Sequence, residues 1–208
     1  MLSKIKFFML FVSIASFSQT FEGEIVYANS YQSKNPQLTD VQWNSMLGTM
    51  QNYIIKNGDY KSSSDGNLMQ WQLYINKDNK LYAKMSNSEI AFWNDGNVQG
   101  DEILKAEINK NATEILGYKC DELILTCKSG IQKYYYNTKF AVDPTVFINH
   151  KFGNWYDFVS RSNALPLKMI IENIQFVMTS VAVDVKNIKI EADVFTLPIG
   201  IKTEKSPY

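Results

Sequence analysis

Apolar and polar positions alternate over most of this chain, and the longest such run covers residues 113–136. There Leu123-Ile124-Leu125 and Tyr134-Tyr135-Tyr136 make two blocks suited to a pleated, half-buried surface. Lys128-Ser129-Gly130 separates them, and its glycine supplies the positive φ of a tight hairpin. The pattern predicts one strand from Thr113 to Cys127, a turn and a second strand. The alternation over 21–31 predicts another strand, with Gly23, Ile25, Tyr27 and Asn29 on one side and Glu22, Glu24, Val26 and Ala28 on the other. Further strands are expected at 51–55, 60–64, 69–75, 81–85, 89–93, 102–109, 165–172 and 175–189. Asn57-Gly58 reads as a hairpin turn, and Asp65-Gly66-Asn67 and Asn94-Asp95-Gly96-Asn97 as further turns.

The period changes at 38–50. Leu38, Val41, Met46, Leu47 and Met50 recur three to five apart, with Trp43 at the edge of the stripe and Thr39 or Asp40 as cap. A short helix is expected there. Asp143-Pro144 predicts a second, running to about His150, because Pro suits the first helical turn. The segment 151–162 reads as an aromatic loop, 193–198 as a short turn, and the polar tail to Tyr208 as frayed. With about ten strands separated by frequent turns, the class is mainly β with minor α, built from antiparallel meanders.

Residues 1–18 have the layout of a signal peptide: Lys4 and Lys6, an apolar block over 7–14, and small Ser16 and Ser18 before a cut near Ser18. A membrane anchor is the alternative, but the apolar run falls short of the roughly 20 residues a spanning helix needs. Residues 19–208 are then one exported domain, periplasmic or secreted. The chain holds 21 basic and 21 acidic residues. Losing Lys4 and Lys6 leaves it slightly acidic, so nothing steers it to nucleic acid. Cys120 and Cys127, on one extended strand, would stand about 23 Å apart, beyond the roughly 7 Å limit of a disulfide. Two buried free thiols are expected, and a bridge between chains stays open.

Candidate chemistry is sparse. His150 is the single histidine, which excludes multi-histidine zinc sites. A surface or capping role at a helix end is expected of it. Asp121 and Glu122 are neighbours on a strand and point to opposite faces unless a β-bulge intervenes. Such a bulge would also bring Cys120, Leu123 and Leu125 onto one face, and it is expected here. The turns at Asn76 and Asp95 lack the ligand series of a calcium loop. No glycine-rich phosphate loop and no cofactor motif occurs. Aromatic and methionine groups stand out instead: Trp43 with Met46, Leu47 and Met50; Phe92 with Trp93; and Trp155, Tyr156 and Phe158. Core packing accounts for them, or they line a groove between sheet and helices.

Four segments in this order, FEGEIVY, ILGYKCDELIL, LPLKM and VKNIKIEADVFTLPIG, resemble uncharacterised secreted families of Gram-negative bacteria. These are domains of unknown function related to the GLPGLI type, with a LolA-like fold. The resemblance implies a curved antiparallel half-barrel with two short helices over its concave face. It also implies an apolar cavity that holds acyl chains. The resulting expectation is a periplasmic binding protein for a lipid or lipidated partner, with no catalysis and with peripheral envelope association. The alternative is an envelope structural or interaction protein without a small ligand. A carboxylate-dependent hydrolase is a third reading.

Overall fold

The computed structural model describes residues 20–207; the expected signal segment lies outside them. Twelve strands make one sheet: β1 (Gly23–Ser33), β2 (Met50–Lys56), β3 (Asp59–Ser64), β4 (Met69–Ile75), β5 (Lys80–Met85), β6 (Ile90–Asp95), β7 (Ile103–Ile115), β8 (Tyr118–Cys127), β9 (Ile131–Ala141), β10 (Ala164–Glu172), β11 (Phe176–Asn187) and β12 (Lys202–Lys205). The helices are α1 (Asp40–Leu47) and α2 (Trp155–Ser162). Strand order is β12-β6-β5-β4-β3-β2-β1-β11-β10-β9-β8-β7. The sheet is curved and open, consistent with the half-barrel that the resemblance implied, and antiparallel meanders make it up, as the strand pattern predicts. Two meanders, β1 to β6 and β7 to β11, join where β1 pairs with β11. The N-terminal strand of the domain is thus its central seam.

Local chemistry explains the turns. Asn57 and Gly58 adopt φ of 50° and 90°, the paired positive values of a two-residue hairpin. Gly96 is needed for space. A Cβ there would stand 2.1 Å from Asn79 Oδ1, and its carbonyl accepts Lys151 and Phe152 amides at 2.7 and 3.1 Å. That turn therefore holds the segment leading into α2.

The side-chain period of two separates the faces. Ile25, Tyr27, Tyr53, Tyr74, Leu81, Leu123 and Tyr134 point inward and form the main core with Phe147, Phe158 and Val159. On the convex face Leu73, Tyr82, Ile190 and Phe195 form a second, smaller cluster, edged by Trp71 and Trp93. The edge strand β7 is exposed along most of its length. Lys105, Lys110 and two register irregularities blunt that edge against pairing with other chains.

Several expectations are corrected. Thr113 to Cys127 is not one strand: Leu116 and Gly117, with φ of 50° and 79°, turn the chain between β7 and β8. The irregularity expected within Asp121-Glu122 lies on the neighbouring strand. β8 pairs with β9 without a break through both residues. On the other side the register jumps from Asn109↔Glu122 to Thr113↔Cys120, so Lys110, Asn111 and Ala112 oppose Asp121. Cys120 and Leu123 are both buried. The helix expected from Asp143 is only a short 3-10 turn, Pro144–Phe147.

The second helix is α2, inside the segment read as a loop. Trp155, Phe158, Val159 and Ser162 stand at i, i+3, i+4 and i+7, and the last three are buried. Asp157 and Arg161 add an i,i+4 ion pair of 3.0 Å. Nor does the tail fray. The short turn expected at 193–198 is present as a 3-10 turn, Ala192–Phe195, that buries Phe195 on the convex face, and beyond it β12 pairs in parallel with β6.

Candidate ligand-binding groove

The two helices cover the concave face unequally. α1 is closed at its start by a capping box, with Gln42 N donating to Thr39 Oγ1 at 3.2 Å and Thr39 N to Gln42 Oε1 at 2.8 Å. It lies over the end of β1, where Trp43 packs on Phe176 with ring centroids 4.7 Å apart and donates Nε1 to Ser33 Oγ at 3.2 Å. α2 lies over β8 to β10, with Phe158 stacked on Tyr134 at 4.3 Å. Asn154, in left-handed conformation just before α2, is fully buried. Its Oδ1 accepts Gln99 Nε2 at 2.8 Å and the Asp101 amide at 3.1 Å, while its Nδ2 donates to Cys127 Sγ at 3.4 Å.

Between the helices a trough stays open. A cavity of about 300 Å³ lies toward α1, walled by Tyr31, Leu47, Met69, Phe176 and Met178, with Asn29, Gln51, Ser62 and Gln72 on its floor. A second, of about 140 Å³, lies toward α2 beneath Tyr53, Tyr60 and Trp155. Gln51, Ser62, Gln72 and Met169 border both. Strand register brings them together: Ser62 sits opposite Tyr53 on one side and Gln72 on the other. Asn29 sits opposite Ser180, and Ser180 opposite Met169. Among the described residues no Asp, Glu, Lys, Arg or His lines either cavity. A third cavity, of about 300 Å³, opens elsewhere, beside Phe21, Gly58 and Phe147.

Among the described residues five buried polar atoms have no hydrogen-bond partner; Asn29 Oδ1, Tyr53 Oη, Ser180 Oγ and Trp155 Nε1 belong to residues around the trough, and His150 Nδ1 lies behind its wall. Burial drives the Tyr53 hydroxyl pKa well above its ordinary value. Burial, then the Asp65 charge, pushes Tyr31 up to about 12. Tyr27 differs in being satisfied, donating to the Pro166 carbonyl at 2.7 Å.

His150 is not at the surface. It is 1% exposed, and its ring stacks on Tyr74 at 3.9 Å and shares a 2.8 Å hydrogen bond with Tyr60 through Nε2. Burial lowers its pKa to about 3, so it is neutral at pH 7. It backs the Tyr60–Trp155 wall of the smaller cavity. Asp121 and Glu122 stay outside the trough. Burial raises the pKa of Asp121, but Lys110 at 2.7 Å and the Asn111 amide at 3.0 Å outweigh it and hold the carboxyl below its usual range. Burial likewise opposes ionisation of Glu122, and the Asn109 amide at 2.8 Å helps to overcome it.

Of the nine residues singled out in the sequence, Leu47 and Trp155 line the trough. Trp43 and Phe158 stand one layer behind, as described. Met46 anchors a loop through its carbonyl, which accepts the Leu68 amide at 3.0 Å. Met50 is 41% exposed at the start of β2. Tyr156 packs against the main core. Phe92 and Trp93 are successive residues of β6 and face opposite ways. Trp93 joins the convex cluster, with Lys80 Nζ 4.1 Å from its ring centroid. The floor residues Asn29, Gln51, Ser62 and Gln72 were not singled out. Their sign in the sequence is a polar side chain at an inward-facing position of an alternating strand.

No protein-family model and no curated protein matches the chain. Among solved structures, PNGF-II in the C2 space group is similar at a TM-score of 0.44 and 16% identity, over 88% of this chain and 31% of that one. The chain thus spans under a third of that structure's length, and a likeness at this score bears on neither fold nor activity.

Proposed function

We propose that this is an exported, non-catalytic binding domain of LolA-like type that holds a small amphiphile, a lipid or the acyl part of a lipidated partner, in the trough between α1 and α2. The observation that supports it is the open trough itself, walled by Met69, Met169, Met178 and Phe176, with no charged side chain in its lining. Methionines adapt to chains of varied shape. A concave, mostly preformed site with a few polar groups is what small-molecule binding requires, and about 300 Å³ is at the lower end of such sites.

A second reading, an envelope interaction protein whose hollow is filled by its own side chains, draws on the region under α2. There Phe147, His150, Trp155 and Phe158 pack together. The region toward α1 favours the first reading, because it is not filled. The test is mass spectrometry of gently purified full-length protein, with fluorescence of N-phenyl-1-naphthylamine added to it. Co-purified aliphatic species and an enhancement lost in Met169→Trp, which fills the trough, are expected. Neither species nor enhancement, in protein that melts cooperatively, overturns the proposal.

A further inference from the structure

Resting on that reading, we infer that the occupant's head is uncharged and both donates and accepts hydrogen bonds, as in a monoacylglycerol or an N-acyl amide. Asn29 and Tyr53 are each 8% exposed and border the cavities, and Ser180, directly across from Asn29, is fully buried. Asn29 Oδ1, Tyr53 Oη, Ser180 Oγ and the indole Nε1 of Trp155 have no partner. Buried polar atoms are nearly always paired, so the three on residues that line the trough, Asn29, Tyr53 and Trp155, point to a group that pairs them, with Ser180 directly behind.

The types of atom define that group. An indole N–H only donates, so the head must accept. An amide oxygen only accepts, so the head must donate. Hydroxyls serve either way. The Asn29 carboxamide is held in orientation by its Nδ2, which donates to Gln51 Oε1 at 3.4 Å, leaving Oδ1 for the occupant. A carboxylate or phosphate head could pair with the indole and the hydroxyls but not with the Asn29 oxygen. No cation in the lining offsets its desolvation. A quaternary ammonium offers no donor at all. The apolar wall of Leu47, Phe176 and Met178 lies toward α1, so the tail runs that way and the head sits over Gln51 and Ser62.

The test uses the full chain and displacement of N-phenyl-1-naphthylamine by monodecanoylglycerol, decanoate and methyl decanoate. Monodecanoylglycerol is expected to displace the probe at about tenfold lower concentration than the other two, the size of one buried hydrogen bond. Tyr53→Phe is expected to weaken monodecanoylglycerol by about the same factor, to leave methyl decanoate unchanged, and to melt no lower than wild type, since it deletes an unpartnered hydroxyl. Equal displacement by all three, or preference for decanoate, overturns the inference while the binding reading stands. So does a Tyr53→Phe variant that weakens all three alike. Binding of neither the probe nor any of the three overturns both, leaving a trough that holds water only.

Discussion

Acidification should destabilise this domain through His150 before its carboxylates are affected. The unfolded chain takes up a proton near pH 6.5, whereas burial holds the folded imidazole at about 3. Between these values the unfolded state binds more protons, so stability is complete above pH 6.5 and falls as pH drops toward 3. Each pH unit within the window is worth about 1.4 kcal/mol. From pH 7 to pH 5 the loss is therefore about 2 kcal/mol. The salt-bridged carboxylates, whose folded pKa values are depressed, lose their contribution only at lower pH.

Tyr60 and Tyr74, which face the ring, have pKa values raised by burial and do not titrate in this range. Asp59, close enough to act on Tyr74, has a raised pKa of opposite sign in the balance. Comparison with His150→Phe subtracts it. That variant leaves Tyr60 without its partner, at a cost of about 1–3 kcal/mol at pH 7. It removes the pH term, so the gap between the two proteins should narrow by about 2 kcal/mol at pH 5. Urea denaturation followed by tryptophan fluorescence at half-unit pH steps measures this. Parallel curves from pH 7 to pH 5, or a histidine C2–H resonance in the folded wild type that titrates above pH 5, would refute the reasoning.

Two further outcomes follow from the backbone and the tail. Leu116 sits at φ 50° and is 45% exposed, so Leu116→Asn should raise stability by about 1 kcal/mol by relieving left-handed strain; an unchanged or lower urea midpoint would count against the turn. Phe195→Ala should cost about 3 kcal/mol and alter the emission of Trp71 and Trp93, because Phe195 closes the convex cluster; a midpoint equal to wild type would mean the tail does not dock there.

Much of the sheet is readable in the sequence because period-two alternation is a local signal. Ile25 and Tyr27, Leu73 and Tyr74, and Tyr134 and Tyr136 each carry their facing in the residues beside them. The turn at Asn57-Gly58 was equally local. The turn at Leu116-Gly117 is not legible in the sequence, because a leucine at positive φ goes against its own preference and only pairing of β7 with β8 enforces it. The stripe Trp155, Phe158, Val159, Ser162 was hidden by the aromatic and polar residues around it, though its spacing was helical. The tail beyond Pro198 carries neither alternation nor a helical stripe, so its pairing with β6 is a tertiary decision.

By itself the sequence determined a β-rich chain, its strand faces and most of its turns, since each depends on residues within a few positions. Tertiary structure alone decided which faces meet. It buried His150 among Tyr60, Tyr74 and Trp155, sent Trp93 to the convex side, and set Asn29, Tyr53 and Gln72 around one trough. That trough depends on register between strands about 150 positions apart, as in Asn29↔Ser180, and no local period encodes such a pairing.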